Sequence, residues 1–278
     1  MAWEPPSYAY LPMRGVKIGY YDSGELYNYE SLLILFFLHG MPGQISNWRY
    51  QLEFFEKKYR CVAIDMRGYG KSEKPKEVKF ENFLLDLDAF MEEKRISSKN
   101  TILLGHSFGA MVAQMYASQK RLKGLVLVGS LLKHKRDTMD WIILHSPSFL
   151  WKPLFFTLNP LTVRLYRKIY FSPKVSDSIY RTFMEDNKEY IENIPPHVFR
   201  YVKILEKYDA TDFLPKITSP TCVIAASDDV VTPPEENQQI AQLIPKSEYH
   251  EVKDAGHMLL YEKPDEVNSI IKGFISKL

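Results

Sequence analysis

Short, continuous apolar runs that alternate with helical stretches are the feature that most limits how this chain can fold. The clearest runs are LLILFFL (Leu32–Leu38), RCVAI (Arg60–Ile64), NTILL (Asn100–Leu104), GLVLV (Gly124–Val128) and TCVIA (Thr221–Ala225). A strand with no polar side must be covered on both faces, as in a parallel sheet that is flanked by helices. Each run is followed within two residues by Gly, Asp or Ser, which favour turns and helix caps. The sequence therefore predicts an α/β fold.

Three weaker segments complete the predicted sheet. Residues Tyr8–Pro12 and Val16–Tyr21 alternate between apolar and polar and predict an antiparallel hairpin at the sheet edge. A last strand is predicted over Glu248–Val252. The result is a mostly parallel, eight-stranded sheet with helices on both faces.

The strand spacing breaks once, over residues 131–209. Prolines at 147, 153, 160, 173, 195 and 196 divide this segment into short helical stretches, and a structureless loop of this length is uncommon. We therefore expect a helical cap at 131–209, inserted into a core formed by residues 1–130 and 210–278. The cap is rich in aromatic residues, some of which should cover the substrate pocket and favour apolar groups. They are Trp141, Phe149, Trp151, Phe155, Phe156, Tyr166, Tyr170, Phe171 and Tyr180.

Composition excludes several classes of partner. The 36 basic and 34 acidic residues give a net charge of +2. This charge is too small to attract the phosphate backbone of a nucleic acid.

A membrane helix needs about 20 apolar residues, far more than the run Leu32–Leu38. The N-terminal MAWEPPSYAY does not resemble a signal peptide, and two cysteines do not make a disulfide framework. We expect a cytoplasmic protein with a small-molecule substrate and no membrane span, and leave its oligomeric state open.

The segment Gly105–Gly109 reads GHSFG and lies between a predicted strand and a predicted helix. This is the G-x-S-x-G pattern in the context of a nucleophile elbow. The serine must sit on a sharp turn, where flanking side chains would collide with the neighbouring strand and helix. The helix start supplies free N–H groups and a partial positive charge for a developing oxyanion. Ser107 is therefore the candidate nucleophile.

Two further motifs give the chain a specific resemblance. Residues 39–43 read HGMPG, and residues 65–72 read DMRGYGKS, which matches a D-x-R-G-x-G-x-S pattern. With the GHSFG elbow, they occur in the order found in α/β-hydrolases, and the chain resembles that superfamily over nearly its whole length outside the cap. The resemblance implies the α/β-hydrolase fold. It also implies an oxyanion hole formed by the backbone N–H groups of Met41 and Phe108.

The same resemblance implies a base and an orienting acid that follow the serine in chain order. His257 lies in the sequence DAGH after the last predicted strand, a setting that none of the other histidines has. The acid should follow the run TCVIAAS, where Asp228 and Asp229 are adjacent. The family pattern has the acid four residues before a proline, here Pro233, which favours Asp229 and leaves Asp228 as the alternative.

These residues together predict a serine hydrolase that works through an acyl-enzyme and needs no metal or cofactor. Epoxide hydrolases and haloalkane dehalogenases resemble this fold but carry Asp at the elbow, so Ser107 favours an esterase. We expect carboxylic esters of small to medium, rather apolar substrates.

Two alternatives remain open. HGMPG differs by one residue from the HGGPG of proline iminopeptidases, although GHSFGA lacks the double glycine usual in their elbow. In such an aminopeptidase, acidic residues of the cap could hold the substrate amine; the candidates are Glu185, Asp186, Glu189 and Glu192. The other alternative is a non-catalytic ligand receptor on the same fold, which intact motifs disfavour.

Overall fold

The computed structural model is built around one eight-stranded sheet. It describes residues 2–27, 29, 32–135, 138–155 and 159–278. At residues 139, 154 and 155 only the backbone is described. The strands are β1 (Tyr8–Met13), β2 (Val16–Asp22), β3 (Ile34–Leu38), β4 (Arg60–Ile64), β5 (Thr101–His106), β6 (Gly124–Val128), β7 (Thr221–Ala226) and β8 (Ser247–Val252). Their order across the sheet is β1-β2-β4-β3-β5-β6-β7-β8. Strand β2 runs antiparallel to β1 and β4, and the other neighbours are parallel. The predicted mostly parallel sheet is confirmed.

Strand β3 begins two residues later than the sequence predicts. Ile34 pairs with Arg60 on one side and with Thr101 on the other, and these are the first residues of β4 and β5. Leu32 precedes both neighbours and is 79% exposed. An apolar run therefore marked the strand correctly, but its start depends on where the partner strands begin.

Helices cover both faces of the sheet. They are α1 (Arg49–Phe55), α2 (Phe80–Glu93), α3 (Phe108–Gln119), α4 (Thr138–His145), α5 (Ser148–Phe155), α6 (Pro160–Tyr170), α7 (Asp177–Asn193), α8 (Pro196–Phe199), α9 (Pro234–Leu243), α10 (Leu259–Glu262) and α11 (Pro264–Ile275). Side chains of β3 alternate between the two faces, because successive strand residues point in opposite directions. Phe36 packs in the core with α2, α3 and α9, whereas Phe37 packs in the core with α1 and α11. Both rings are fully buried.

The described part of residues 131–209 forms helices α4 to α8 and contributes no strand to the sheet. The two ends of this segment lie side by side, where the Ala210 N–H donates to the Leu132 carbonyl at 2.8 Å. We propose that residues 131–209 form a cap inserted between β6 and β7 into a core of residues 1–130 and 210–278. Within the described ranges, no helix combines the length and apolar character that crossing a bilayer requires.

Candidate active site

Ser107 lies on the turn between β5 and α3, at the carboxyl edge of the parallel strands. Its backbone has φ 53° and ψ −119°, a conformation that residues other than glycine rarely adopt. Its N–H donates to the Val128 carbonyl at 2.9 Å. The turn leaves no room beside it. A Cβ on Gly105 would lie 2.4 Å from the Gly109 carbonyl oxygen, and one on Gly109 would lie 2.3 Å from the Leu38 carbonyl oxygen. The glycines therefore allow strand, turn and helix to approach closely enough to expose Ser107.

Asp229 and His257 form a buried pair at the ends of the last two strands. An Asp229 carboxylate oxygen lies 2.8 Å from His257 Nδ1 and also accepts the Thr232 hydroxyl at 2.7 Å. The other oxygen accepts the N–H groups of Val231 and Thr232, both at 2.8 Å. Burial alone would raise the pKa of Asp229, but His257 and these hydrogen bonds lower it. Because a carboxylate only accepts, Nδ1 carries a proton and Nε2 of a neutral imidazole is an acceptor.

Asp228 points elsewhere. Its carboxylate accepts the Ser172 hydroxyl at 2.5 Å and the Ser227 hydroxyl at 3.0 Å. Ser172 belongs to the cap, so Asp228 joins the cap to the loop after β7. Of the two candidate acids, the structure brings Asp229 to His257.

The loop that carries His257 is held by two side chains that the sequence did not single out for this task. His106 Nε2 lies 2.9 Å from the His257 carbonyl oxygen, and the two rings are 4.9 Å apart. Burial, followed by the neighbouring His257, lowers the pKa of His106 to about 3, so His106 is neutral and donates this hydrogen bond from Nε2. This contact was not predictable from the sequence, in which His106 is only the second residue of the GHSFG motif.

Glu262 is the second of these side chains. Its carboxylate accepts the N–H of Gly256 at 2.9 Å and the N–H of Ser172 at 3.0 Å. Burial raises the pKa of Glu262 to about 7, against the opposing effect of these two hydrogen bonds. Glu262 thereby ties the residue before His257 to the cap.

Met41 and Phe108 are the predicted oxyanion-hole residues, and Phe108 directly follows Ser107 in the chain. The turn with Met41 contains a cis peptide bond between Met41 and Pro42, and a Cβ on Gly40 would lie 3.1 Å from the Ser107 Cβ. Phe108 is the first residue of α3, where helix N–H groups have no intrahelical acceptor and carry a partial positive charge. The turn that contains Met41 therefore lies against Ser107, and the N–H groups of Met41 and Phe108 remain the predicted donors.

A small cavity of about 50 Å³ contains Ser107 and His257 in its wall. The turn contributes Gly40, Met41 and Pro42, and the remaining lining residues are Asn47, His106, Tyr166, Tyr170, Phe183, Asn187, Tyr190, Ile191 and Met258. None of the described lining residues is Asp, Glu, Lys or Arg. Four of the cavity's six lining residues from 131–209 are aromatic, and the other two are Asn187 and Ile191.

Of the seven predicted cap aromatics whose side chains the structure describes, Tyr166 and Tyr170 line this cavity. Trp151, Phe171 and Tyr180 are buried in packing, whereas Trp141 and Phe149 are 55% and 73% exposed. Phe156 lies outside the described residues, and only the backbone of Phe155 is described.

Four further lining residues lie on α7 and were not predicted from the sequence. Phe183, Asn187, Tyr190 and Ile191 follow the spacing i, i+4, i+7 and i+8, which puts them on one helix face. That periodicity was the available signal. It does not say whether such a face covers the core of the cap or a substrate cavity.

The cap acids considered for amine binding do not line this cavity. Asp186 is buried and accepts the Trp3 N–H at 2.8 Å, the Tyr261 hydroxyl at 2.9 Å and the Arg49 guanidinium at 3.2 Å. It therefore fastens α7 to the core. The other three, Glu185, Glu189 and Glu192, are exposed.

One cluster of potential metal ligands lies elsewhere, on β7 and β8. Donor atoms of Cys222, Glu248 and His250 lie within 4.8 Å of one another. Glu248 already accepts from His250 at 3.2 Å and from Lys277 at 2.5 Å. Burial raises the pKa of the Cys222 thiol, which opposes the thiolate that a metal needs. We assign no metal to this cluster.

Comparisons with known proteins agree with the fold described above. A family model described as the alpha/beta hydrolase fold matches residues 34–264. The chain is 27% identical to proline iminopeptidase PfmaB of Pestalotiopsis fici, over 96% of this chain and 99% of that protein. It is 27% identical to epoxide hydrolase 3 of Xenopus tropicalis, over 97% of this chain and 78% of that protein. A thermophilic esterase from Thermogutta terrifontis superposes with a TM-score of 0.77 at 23% identity, over 98% of both chains.

Proposed function

The chain belongs to the α/β-hydrolase fold family, and within it we propose a serine hydrolase that cleaves carboxylic esters of small to medium, rather apolar substrates. The observation that carries this proposal is the 2.8 Å contact between Asp229 and His257 Nδ1. It leaves Nε2 free to accept a proton, and His257 lines the cavity that also contains Ser107. A nucleophile, a base and an orienting carboxylate are the groups that acyl transfer needs.

In the proposed reaction, the Ser107 hydroxyl attacks the ester carbonyl while His257 Nε2 takes its proton. The Asp229 carboxylate accepts the hydrogen bond from Nδ1 and stabilises the imidazolium that forms. The tetrahedral intermediate then expels the alcohol, which receives the proton from Nε2. Water hydrolyses the acyl-enzyme by the same steps, with His257 again acting first as base and then as acid.

The backbone N–H groups of Met41 and Phe108 are the proposed oxyanion donors. Phe108 directly follows Ser107 and Met41 lines the same cavity, which supports this assignment, and the glycine and proline on either side of Met41 restrict that turn before any charge develops. One donor of this kind typically contributes about 3 kcal/mol to stabilising the transition state.

The charge of the cavity favours a neutral ester over a charged substrate. The described lining has no acidic or basic side chain apart from histidine. A substrate ammonium group in this cavity would lose water without gaining a carboxylate, which costs several kcal/mol. Aromatic and aliphatic groups of the cap, by contrast, suit apolar substituents beside the ester.

An aminopeptidase that acts on N-terminal proline is the second candidate. The similarity to a proline iminopeptidase over nearly the whole of both chains supports it. The position of the cap acids speaks against it, because Asp186 is engaged by the core and Glu185, Glu189 and Glu192 are exposed. The relative that is named an epoxide hydrolase does not favour that activity here, since the elbow residue is Ser107.

The test measures hydrolysis of p-nitrophenyl acetate, p-nitrophenyl butanoate and prolyl p-nitroanilide. We expect ester hydrolysis that Ser107→Ala lowers by at least about 10⁴-fold, because members of a triad act as a unit. Ser118→Ala is the matched control, since Ser118 lies on the same α3 helix and its hydroxyl donates to the Met115 carbonyl. Faster cleavage of the prolyl anilide than of the esters would establish the aminopeptidase. Binding of esters without turnover would instead indicate a ligand receptor.

A further inference from the structure

The catalytic cavity is too small to enclose an ester with a long substituent. Its volume of about 50 Å³ accommodates only a few water molecules. Cavities that enclose small organic ligands usually measure about 300–1,000 Å³. Any larger substrate must therefore extend into a neighbouring space, and the identity of that space decides which substituents the enzyme accepts.

Two neighbouring cavities share a wall with the catalytic cavity. The first, of about 480 Å³, lies between α6 and the loop after β7, and its shared wall consists of Tyr166 and Tyr170. The second, of about 240 Å³, lies between the N-terminal residues and α7, and its shared wall is Tyr190. We call the first the apolar cleft and the second the polar cavity.

The apolar cleft has six aliphatic or proline side chains in its lining: Leu131, Leu165, Ile169, Val230, Val231 and Pro233. Its lining also contains five acidic or basic residues, and four of them contact a charged or polar partner. Lys133 pairs with Asp209 at 2.6 Å, and His134 lies 3.0 Å from Asp140. Lys135 is exposed, and Glu236 accepts the Leu132 N–H at 3.3 Å.

The polar cavity has a smaller aliphatic share: three of its sixteen lining residues, Ala2, Pro5 and Ile45, are aliphatic or proline, against six of thirteen in the apolar cleft. Six of its lining residues are acidic or basic: Glu4, Asp65, Lys71, Lys74, Asp186 and Glu189. An apolar chain that entered it would find less apolar surface to cover than in the apolar cleft. In the apolar cleft, the same chain would cover exposed apolar surface such as Val230, which is 67% exposed.

We propose that the apolar cleft receives an alkyl chain of the ester and that Tyr166 and Tyr170 form the partition that admits it. This inference rests on the proposed ester hydrolysis at Ser107. The two rings are 5.2 Å apart, and the Tyr170 ring lies 6.0 Å from the His257 ring. A substrate carbonyl at Ser107 is therefore separated from the cleft by a single layer of side chains. Rotation of these tyrosines joins the two spaces and gives the chain a continuous apolar path.

The test compares kcat/KM for short and long substrates in two cleft variants. Val230→Arg introduces a charge at an exposed position of the cleft, and Leu165→Trp fills part of its volume. The substrates are p-nitrophenyl acetate, p-nitrophenyl octanoate and octyl acetate, which put the long chain on the acyl or on the alcohol side. We expect the kcat/KM of one octyl or octanoyl substrate, relative to acetate, to fall at least tenfold in both variants.

Glu189→Arg is the matched control, because it makes a comparable change at an exposed residue of the polar cavity. We expect this variant to retain the wild-type ratio of long to short substrates. An unchanged ratio in both cleft variants, or a change in Glu189→Arg alone, overturns the proposal.

A second measurement separates this inference from the proposed function. Octanoate and butanoate are titrated calorimetrically into the Ser107→Ala protein and into its double variant with Val230→Arg. We expect Ser107→Ala to bind octanoate more tightly than butanoate. In the double variant, the Kd for octanoate should be at least fivefold higher than in Ser107→Ala. Equal octanoate binding by the two proteins contradicts the cleft assignment whether or not esters are hydrolysed. Ester hydrolysis that survives Ser107→Ala contradicts the serine mechanism but leaves this binding comparison valid.

Discussion

Replacing Asp229 with asparagine tests the proposed orientation of His257. The carboxylate accepts four hydrogen bonds: two at one oxygen, from His257 and the Thr232 hydroxyl, and two at the other, from backbone N–H groups. An asparagine has one oxygen and one NH₂ group, so it can accept the hydrogen bonds of only one of these two carboxylate oxygens. With its NH₂ toward His257, it needs the imidazole tautomer that carries its proton on Nε2, which cannot accept a proton from Ser107. With its NH₂ toward the backbone, it faces two backbone N–H donors, and both of their hydrogen bonds are lost.

The expected loss follows from these two orientations. Either the base has the wrong tautomer or two hydrogen bonds to a charged acceptor, each worth about 1.5–3 kcal/mol, are lost. In a Ser-His-Asp triad the wrong tautomer lowers kcat by about 10⁴-fold. We therefore expect Asp229→Asn to lower kcat for p-nitrophenyl acetate by about 10³–10⁴-fold.

Asp228→Asn is the control, because its two serine contacts do not involve His257. We expect kcat to change by less than about tenfold, and urea unfolding of both variants separates catalytic loss from loss of stability. Equal losses of kcat in Asp228→Asn and Asp229→Asn, or more than a tenth of wild-type kcat in Asp229→Asn, would refute the assignment of the acid.

Four further outcomes are expected for stability. Gly109→Ala should lower the free energy of unfolding by about 3 kcal/mol or more, because its Cβ would overlap the Leu38 carbonyl. Gly273→Ala in α11, with open space at its Cβ, should raise it by up to about 1 kcal/mol, and equal effects in urea unfolding would contradict the packing argument. Asp186→Asn should cost about 2–3 kcal/mol through its lost hydrogen bonds to Arg49, and an unchanged urea midpoint would show that this contact does not hold the cap. The folded pKa of Glu262 is about 7 and lies above its unfolded value, so its contribution to stability is complete below about pH 4 and is lost as the pH rises to 7. Wild type should therefore lose up to about 3 kcal/mol relative to Glu262→Gln between pH 4 and pH 8, and parallel pH profiles would contradict this.

The sheet was predictable from the sequence because its signals are local. A strand such as Gly124–Val128, buried on both faces, needs a continuous apolar run, and the turn after β5 needs glycine on both sides of Ser107. The start of β3 was misplaced by two residues because it depends on β4 and β5, which are distant in sequence.

The surroundings of the site were less predictable for the same reason. Asp229 was favoured over Asp228 only by its spacing to a proline, whereas their different contacts depend on Ser172 and His257. Tyr190 has the same helical spacing as any buried residue of α7, so the sequence does not reveal that it borders two cavities. Contacts between a cap helix and the core arise from tertiary packing, which a single sequence does not encode as a pattern.

Covalent labelling of Ser107 tests the central proposal most directly. A fluorophosphonate transfers its phosphonyl group to an activated serine hydroxyl and loses fluoride, and intact-protein mass spectrometry followed by peptide mapping locates the adduct. We predict one adduct, on the peptide that contains Ser107, with its rate of formation lowered by at least about 10³-fold in His257→Ala because the base is missing. Labelling that is equally fast in His257→Ala, or that occurs on another serine while Ser107 stays unmodified, would contradict the proposed mechanism.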